Sequence, residues 1–148
     1  MRLSSKGRYA VMAMTDLARH SITVDPPRAV SLAEISRRQD LSLPYLEQLF
    51  THLRRRGLVN SVRGPGGGYR LARPAAETAV ADIVLAVDEP LETVRCTSKT
   101  EGCMPGGERC LTHDLWQALG DHIHDFLAGV SLEDIIERRL KAREVEAA

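Results

Sequence analysis

Every cysteine in the chain falls within one short stretch, CTSKTEGCMPGGERCLTH, running from Cys96 to His113. The order is Cys96, six residues, Cys103, six residues, Cys110, two residues, His113. The stretch holds almost nothing apolar with which to bury itself. Its three thiols and one imidazole therefore need an outside reason to converge, and a metal supplies one. Cys110 and His113 sit three apart where a helix begins, so both can face one centre, and the positive end of the helix favours thiolate. Zinc sites usually use pairs roughly two to four residues apart, and no two cysteines here are that close. Three thiolates and an imidazole at wide spacing fit an iron–sulfur cluster better, since histidine ligation is attested for two-iron clusters. Structural zinc on the same four residues is the competing reading. The bland one leaves His113 as an exposed residue at a helix start. His122 and His124 fall elsewhere along that helix and read as surface groups.

Ligands on a loop need elements to hold them. Thr112 to Ala128 reads as a long helix with an apolar stripe of Leu115, Trp116, Leu119, Ile123, Phe126 and Leu127. A stripe that broad requires a partner surface. The same helix of a second subunit, with its own N-terminal domain, would cover it. Upstream, TAVADIVLAVDE reads as a helix capped by Thr78, with Val80, Ile83, Val84 and Val87 inward, and Pro90 ending it. Downstream, Ser131 and Asp134 cap a last amphipathic helix carrying Leu132, Ile135, Ile136 and Leu140, and the tail KAREVEAA reads as frayed.

The first half of the chain is organised differently. Tyr9, Val11, Met14, Leu17 and Ala18 recur at helical spacing over 5–20, and DPP at 25–27 breaks the chain. A capping box of Ser31 and Glu34 opens a short helix, with Leu32 and Ile35 inward, that stops near Gln39. A second helix follows at once, with Ser42 as N-cap, Pro44 in its first turn and Gly57 as its stop. Leu43, Leu46, Leu49, Phe50 and Leu53 form its apolar stripe; Pro44, Tyr45, Glu47, Gln48, Thr51 and Arg55 lie largely on the other face. Two β-prone runs, 58–62 and 69–72, then enclose Gly64, Pro65, Gly66, Gly67 and Gly68, with Arg63 at the loop edge.

A helix-turn-helix followed by that hairpin is a winged helix, whose second helix presents its N-terminal side chains to the major groove. Bare glycines let the wing approach a sugar–phosphate edge, and an Arg beside them can enter a narrow minor groove. A nucleotide-cradling loop is excluded, because GPGGGYR has no following helix and no Gly-Lys-Ser/Thr. Glu47 is the odd member of the reading face. A carboxylate there is repelled by phosphate unless a cytosine amino group donates to it, whereas on the bland reading it pairs with a nearby Arg on the helix surface.

Charge agrees with this division. The chain of 148 residues is neutral overall, yet residues 1–73 hold 13 Lys+Arg against 5 Asp+Glu, and residues 74–148 hold 7 against 15. A basic half of +8 suits a polyanion, and the acidic half of −8 has another task. No apolar run approaches the ~20 residues that cross a bilayer, so no membrane partner is expected. The N-terminus MRLSSKGRYAVMAM has no secretory signal and the cysteine count is odd, so a cytoplasmic, reducing setting is expected. No activated nucleophile or carboxylate dyad is visible, and the chain does not read as an enzyme.

Assembled in order, MRLSSKGRYAVMAM, LSLPYLEQLF, VRGPGGGYRL and the Cys/Cys/Cys/His loop closely resemble the iron–sulfur cluster regulators among the Rrf-type winged-helix transcription factors. The resemblance runs over about residues 1–140. It implies a mostly α fold with a small β-wing: a winged helix-turn-helix domain over 1–75, a connecting helix over 76–90, a cluster-binding loop over 91–112, dimerisation helices over 113–140 and a frayed tail over 141–148. It also implies a homodimer whose long helices cross between subunits, and a 2Fe-2S cluster on Cys96, Cys103, Cys110 and His113, with 4Fe-4S or Zn as the alternatives. Double-stranded operator DNA would be the partner, with RNA polymerase a further one. Regulation, as repressor or activator, would fall on genes of cluster assembly and stress defence. The rival functions are a nitric-oxide-sensing four-iron regulator of the same family and an iron–sulfur carrier. The residues expected at DNA are Arg2, Ser42, Pro44, Tyr45, Glu47, Gln48, Arg54, Arg55, Arg63, Gly66, Gly67 and Tyr69; those expected in the dimer interface are Leu115, Leu119, Ile123 and Phe126.

Overall fold

The computed structural model describes residues 4–21, 27–87 and 104–140. Arg2, Asp25 and Pro26 of the DPP break, Pro90, Cys96, Cys103 and the tail from 141 lie outside the described residues. Among the described residues, six α-helices and one two-stranded sheet follow in the order α1 Ser5–Ser21, α2 Leu32–Gln39, α3 Leu43–Arg55, β1 Val59–Val62, β2 Gly68–Leu71, α4 Val80–Val87, α5 His113–Ala128 and α6 Leu132–Ile136. A single 3-10 turn, Ala75–Glu77, precedes α4.

Local chemistry fixes the helix ends. At α2 the Ser31 hydroxyl accepts from the Glu34 amide and the Glu34 carboxylate accepts from the Ser31 amide, the reciprocal box the sequence predicts. That backbone bond, joined by Arg28, holds the Glu34 carboxyl down to about 2. Asp40 then turns left-handed at φ 52°, and α3 starts three residues on, at Leu43. Its cap is Ser42, which accepts from the Tyr45 amide, with Pro44 in the first turn. The box recurs at α6 between Ser131 and Asp134.

Thr78 does not cap α4. Its hydroxyl donates to the Pro74 carbonyl at 3.0 Å, and the Val80 amide donates instead to the Val130 carbonyl at 2.9 Å. The Leu132 amide returns a bond to the Thr78 carbonyl at 3.0 Å, so the starts of α4 and α6 are laced together.

One core joins the head to the helices beyond it. Phe50, Met14, Leu17, Ile35, Leu46 and Leu53 are fully buried with Ile83 and Leu132, so α4 and α6 complete the packing of α1–α3. Besides the α5 stripe, two side chains assigned to apolar stripes lie outside that core. Leu43 is 38% exposed, because the first helical position precedes the face formed by Leu46, Leu49, Phe50 and Leu53. Leu140 is 50% exposed, because α6 ends at Ile136 and Arg138 turns left-handed, which breaks the helical spacing.

A polar contact crosses this core. Asp16 on α1 has a fully buried side chain that accepts from Arg38 Nε at 3.0 Å and Nη2 at 2.7 Å, and from Gln39 Nε2 at 2.8 Å. Burial pushes its carboxyl up, but the bonds from Arg38 and Gln39, with the charges of Arg38 and His20, outweigh that and hold it low. A fork-to-carboxylate pair of this kind fixes α2 on α1, and so fixes where α3 points.

A nucleic-acid reading face and a thiol-bearing helix start

Burial sorts the faces of α3. Leu46, Leu49, Phe50 and Leu53 point into the core, while Ser42, Pro44, Glu47, Gln48, Thr51, His52, Arg54 and Arg55 are exposed. His52 is absent from the expected set, although it shares the exposed face with Gln48. Tyr45 is half-buried, its ring edge-on to Tyr9 at 6.0 Å, so it braces the start of α3 against α1. Glu47 stands exposed with no ion pair among the described residues, and the Arg-paired alternative has no counterpart there. The Thr51 hydroxyl is committed to the Glu47 carbonyl at 2.8 Å. Arg54, Arg55 and Arg63 are exposed and in no ion pair among the described residues, which leaves three guanidinium groups for an outside anion.

The wing is an antiparallel hairpin in which Val59 faces Leu71 and Val62 faces Gly68. It is anchored to the head by a third strand residue. The Tyr69 amide donates to the Val30 carbonyl at 2.8 Å and the Val30 amide to the Tyr69 carbonyl at 2.9 Å. The Tyr69 ring packs on Phe50 with centroids 4.9 Å apart, so that half-buried side chain roots the wing in the core. The glycines divide by role. Gly64 and Gly66 take positive φ in open space, whereas a Cβ on Gly68 would meet the Val30 carbonyl oxygen at 2.2 Å and one on Gly67 the Val62 oxygen at 2.5 Å. Sequence reasoning gave Gly66 and Gly67 to DNA; Gly67, like Gly68, is already required by the protein's own backbone.

At the other end, Cys110 is half-buried and His113 is buried at the first position of α5. The His113 amide donates to the Cys110 carbonyl at 3.0 Å, which closes a turn carrying one thiol and one imidazole. That burial goes against His113 as a plain exposed residue, and the exposed His122 and His124 are surface groups as expected. Among the described residues no further Cys, Asp or Glu joins these two as a metal site; Cys96 and Cys103 lie outside them. Along α5, Leu127 packs against Val80, Val84 and Val130, while Leu119 and Ile123 are half-buried. Leu115 and Phe126 remain 58% and 61% exposed. No helix among the described residues is long and apolar enough to cross a membrane.

A helix-turn-helix whose second helix shows a polar, arginine-flanked face beside a glycine-tipped wing defines a winged-helix DNA-binding protein. The Rrf2 family, iron-dependent transcriptional regulators, matches residues 3–138, and the chain belongs to that family. It is 55% identical over 139 residues to the HTH-type transcriptional regulator IscR of Photorhabdus laumondii, covering 94% of this chain and 81% of that protein. Among solved structures it resembles T. potens IscR, with a TM-score of 0.73 and 34% identity over 99% of this chain and 94% of the other. CymR, the global cysteine regulator of B. subtilis, superposes with a TM-score of 0.75 at 31% identity over 93% of this chain and 98% of the other. The protein is thus a transcription regulator, not an enzyme.

Proposed function

We propose that this regulator binds operator DNA as a homodimer and that a 2Fe-2S cluster on Cys96, Cys103, Cys110 and His113 selects which operators it accepts. The observation that carries the reading is the turn at the start of α5, where the buried His113 follows Cys110 beneath an uncovered apolar helix face. The donor set fits: thiolates and an imidazole are iron–sulfur ligands, and the iron-dependent family and the IscR relatives support iron as the metal. When bound, the cluster supplies metal–ligand bonds that join the 91–112 loop to α5 and that oxidation or iron loss removes.

The chain's own residues do the rest. Leu115, Leu119, Ile123 and Phe126 form the face that a second copy covers. The two α3 helices then read half-sites on one side of the duplex, and RNA polymerase meets the result at the promoter. Ser42, Tyr45, Arg54 and Arg55 position the helix against phosphate, and Pro44, Glu47 and Gln48 face the bases. The wing brings Arg63 to the flanking minor groove with Gly66 and Gly67 against the backbone, and Tyr69 roots it. Glu47 acts as a gate: its carboxylate penalises any site that offers no cytosine donor, unless the reading head is shifted.

Binding titrations of anaerobic holo-protein and chelator-treated apo-protein against selected duplexes test this. Holo-protein should accept a class of duplex that apo-protein rejects. Glu47→Ala should restore apo binding to that class by about five- to 150-fold, the relief of ~1–3 kcal/mol for an unsatisfied group. An equal shift on every duplex at fixed salt would refute the gate.

A further inference from the structure

The reading helix opens with two apolar side chains that the core does not use. Leu43 is 38% exposed and Pro44 is exposed beside it. At about 3.6 residues per turn, Pro44, Gln48, Thr51 and Arg55 form the row opposite the buried Leu46, Leu49, Phe50 and Leu53, and Leu43 and Glu47 form the adjacent row. Leu43 lies outside the core cluster and keeps 38% of its surface exposed at a helical position that tolerates polar residues. The apolar area is only two residues wide, bordered by Ser42, Glu47 and Gln48 and followed on the same helix by Arg54 and Arg55. A surface so narrow, bordered by polar side chains and on the same helix as two exposed arginines, suits nucleic acid rather than a protein partner. The apolar group that a base edge offers in the major groove is the C5-methyl of thymine.

We infer that Leu43 and Pro44 read thymine methyl groups in the operator's major groove, beside the base pair that Glu47 addresses. The inference rests on α3 being the recognition helix. Leu43 and Glu47 stand one turn apart, ~6 Å along the helix, so the thymine lies within about two base pairs of the Glu47 contact. Because the Thr51 hydroxyl gives its one proton to the Glu47 carbonyl, Gln48 is left as the donor on this part of the face and Glu47 as its charged acceptor. The methyl contact adds a discrimination that neither of them provides.

The full-length chain first selects duplexes from a random-sequence pool. Each thymidine of a selected duplex is then replaced in turn by deoxyuridine, which removes only the methyl group. Wild-type protein should lose about three- to fourfold at one position per half-site, the equivalent of ~0.8 kcal/mol for one buried methyl. Replacing both half-sites together should cost about tenfold. Leu43→Ser, its helicity checked by circular dichroism, should bind thymidine and deoxyuridine duplexes alike at that position. Wild-type indifference to deoxyuridine at every position overturns the inference, and so does full sensitivity retained in both Leu43→Ser and Pro44→Ser. A failure of the recognition-helix reading looks different: Gln48→Ala leaves binding of the selected duplex unchanged, or no duplex is enriched, and both ideas fall together.

Discussion

Gly68→Ala separates a wing glycine the protein itself needs from those its loop conformation needs. The new Cβ would stand 2.2 Å from the Val30 oxygen and 2.7 Å from the Ser31 nitrogen, both backbone atoms that no rotamer change can move aside. The hairpin must swing away, and the two Val30–Tyr69 backbone bonds go with it. At ~0.5–1.5 kcal/mol each those bonds represent ~1–3 kcal/mol. Forcing a side chain into the φ of +152° adds ~1–2 kcal/mol, for ~2–5 kcal/mol in all. Gly66→Ala is the control: its φ is +73° but nothing lies within 4 Å, so only the ~1–2 kcal/mol backbone cost applies. Urea denaturation followed by circular dichroism at far-ultraviolet wavelengths reads both. Gly68→Ala should lower the midpoint clearly more than Gly66→Ala, and should weaken DNA binding because Arg63 is carried on the displaced wing. Equal midpoints for the two variants would refute the close-approach argument.

Asp16→Ala should cost ~2–3 kcal/mol, toward the lower end for a broken buried pair because Arg38 is itself 29% exposed. The Asp16 carboxyl is held low in the folded state, so its contribution is complete above the unfolded value near 3.8 and is lost as pH falls through the folded one. The stability gap between wild type and Asp16→Asn should accordingly narrow below about pH 4; a gap that is constant down to pH 2 would contradict the pairing. Arg63→Ala should lose ~1–3 kcal/mol of operator affinity, concentrated at A·T-rich flanks, and uniform binding by footprint and titration would remove the wing from the interface. Phe126→Glu should convert the dimer to monomer in sedimentation equilibrium while leaving the far-ultraviolet spectrum unchanged, because that side chain is 61% exposed in the single chain. An unaltered sedimentation mass would place the dimer contact elsewhere.

The parts of the fold written in neighbouring residues were legible in the sequence. The Ser31–Glu34 and Ser131–Asp134 boxes, the Ser42 cap and the glycine-tipped hairpin need only a few consecutive positions, and each stands where its spacing puts it. What was not legible depends on residues distant in sequence. Asp16 looks like a solvated helix residue until Arg38 and Gln39 arrive from α2. Gly68 looks like loop flexibility until Val30 is brought against it. Thr78 has a capping residue's chemistry, yet the Pro74 carbonyl takes its hydroxyl and the Val130 carbonyl takes the amide it leaves. Leu43 was misplaced for the opposite reason: counting apolar residues cannot distinguish a core stripe from an exposed apolar edge at a helix start. The thiol loop was conspicuous through its composition, and the backbones of Cys110 and His113, two of its four expected ligands, share one turn.

Iron and acid-labile sulfide, assayed with the visible spectrum on anaerobically prepared full-length protein, test the cluster assignment most directly. The four ligands Cys96, Cys103, Cys110 and His113 predict red-brown protein with about two iron and two sulfide per chain, and His113→Cys should keep the colour but hold the cluster longer in air. Stoichiometric zinc without visible absorption would contradict the account, and an unchanged cluster lifetime in His113→Cys would remove the histidine from the ligand set.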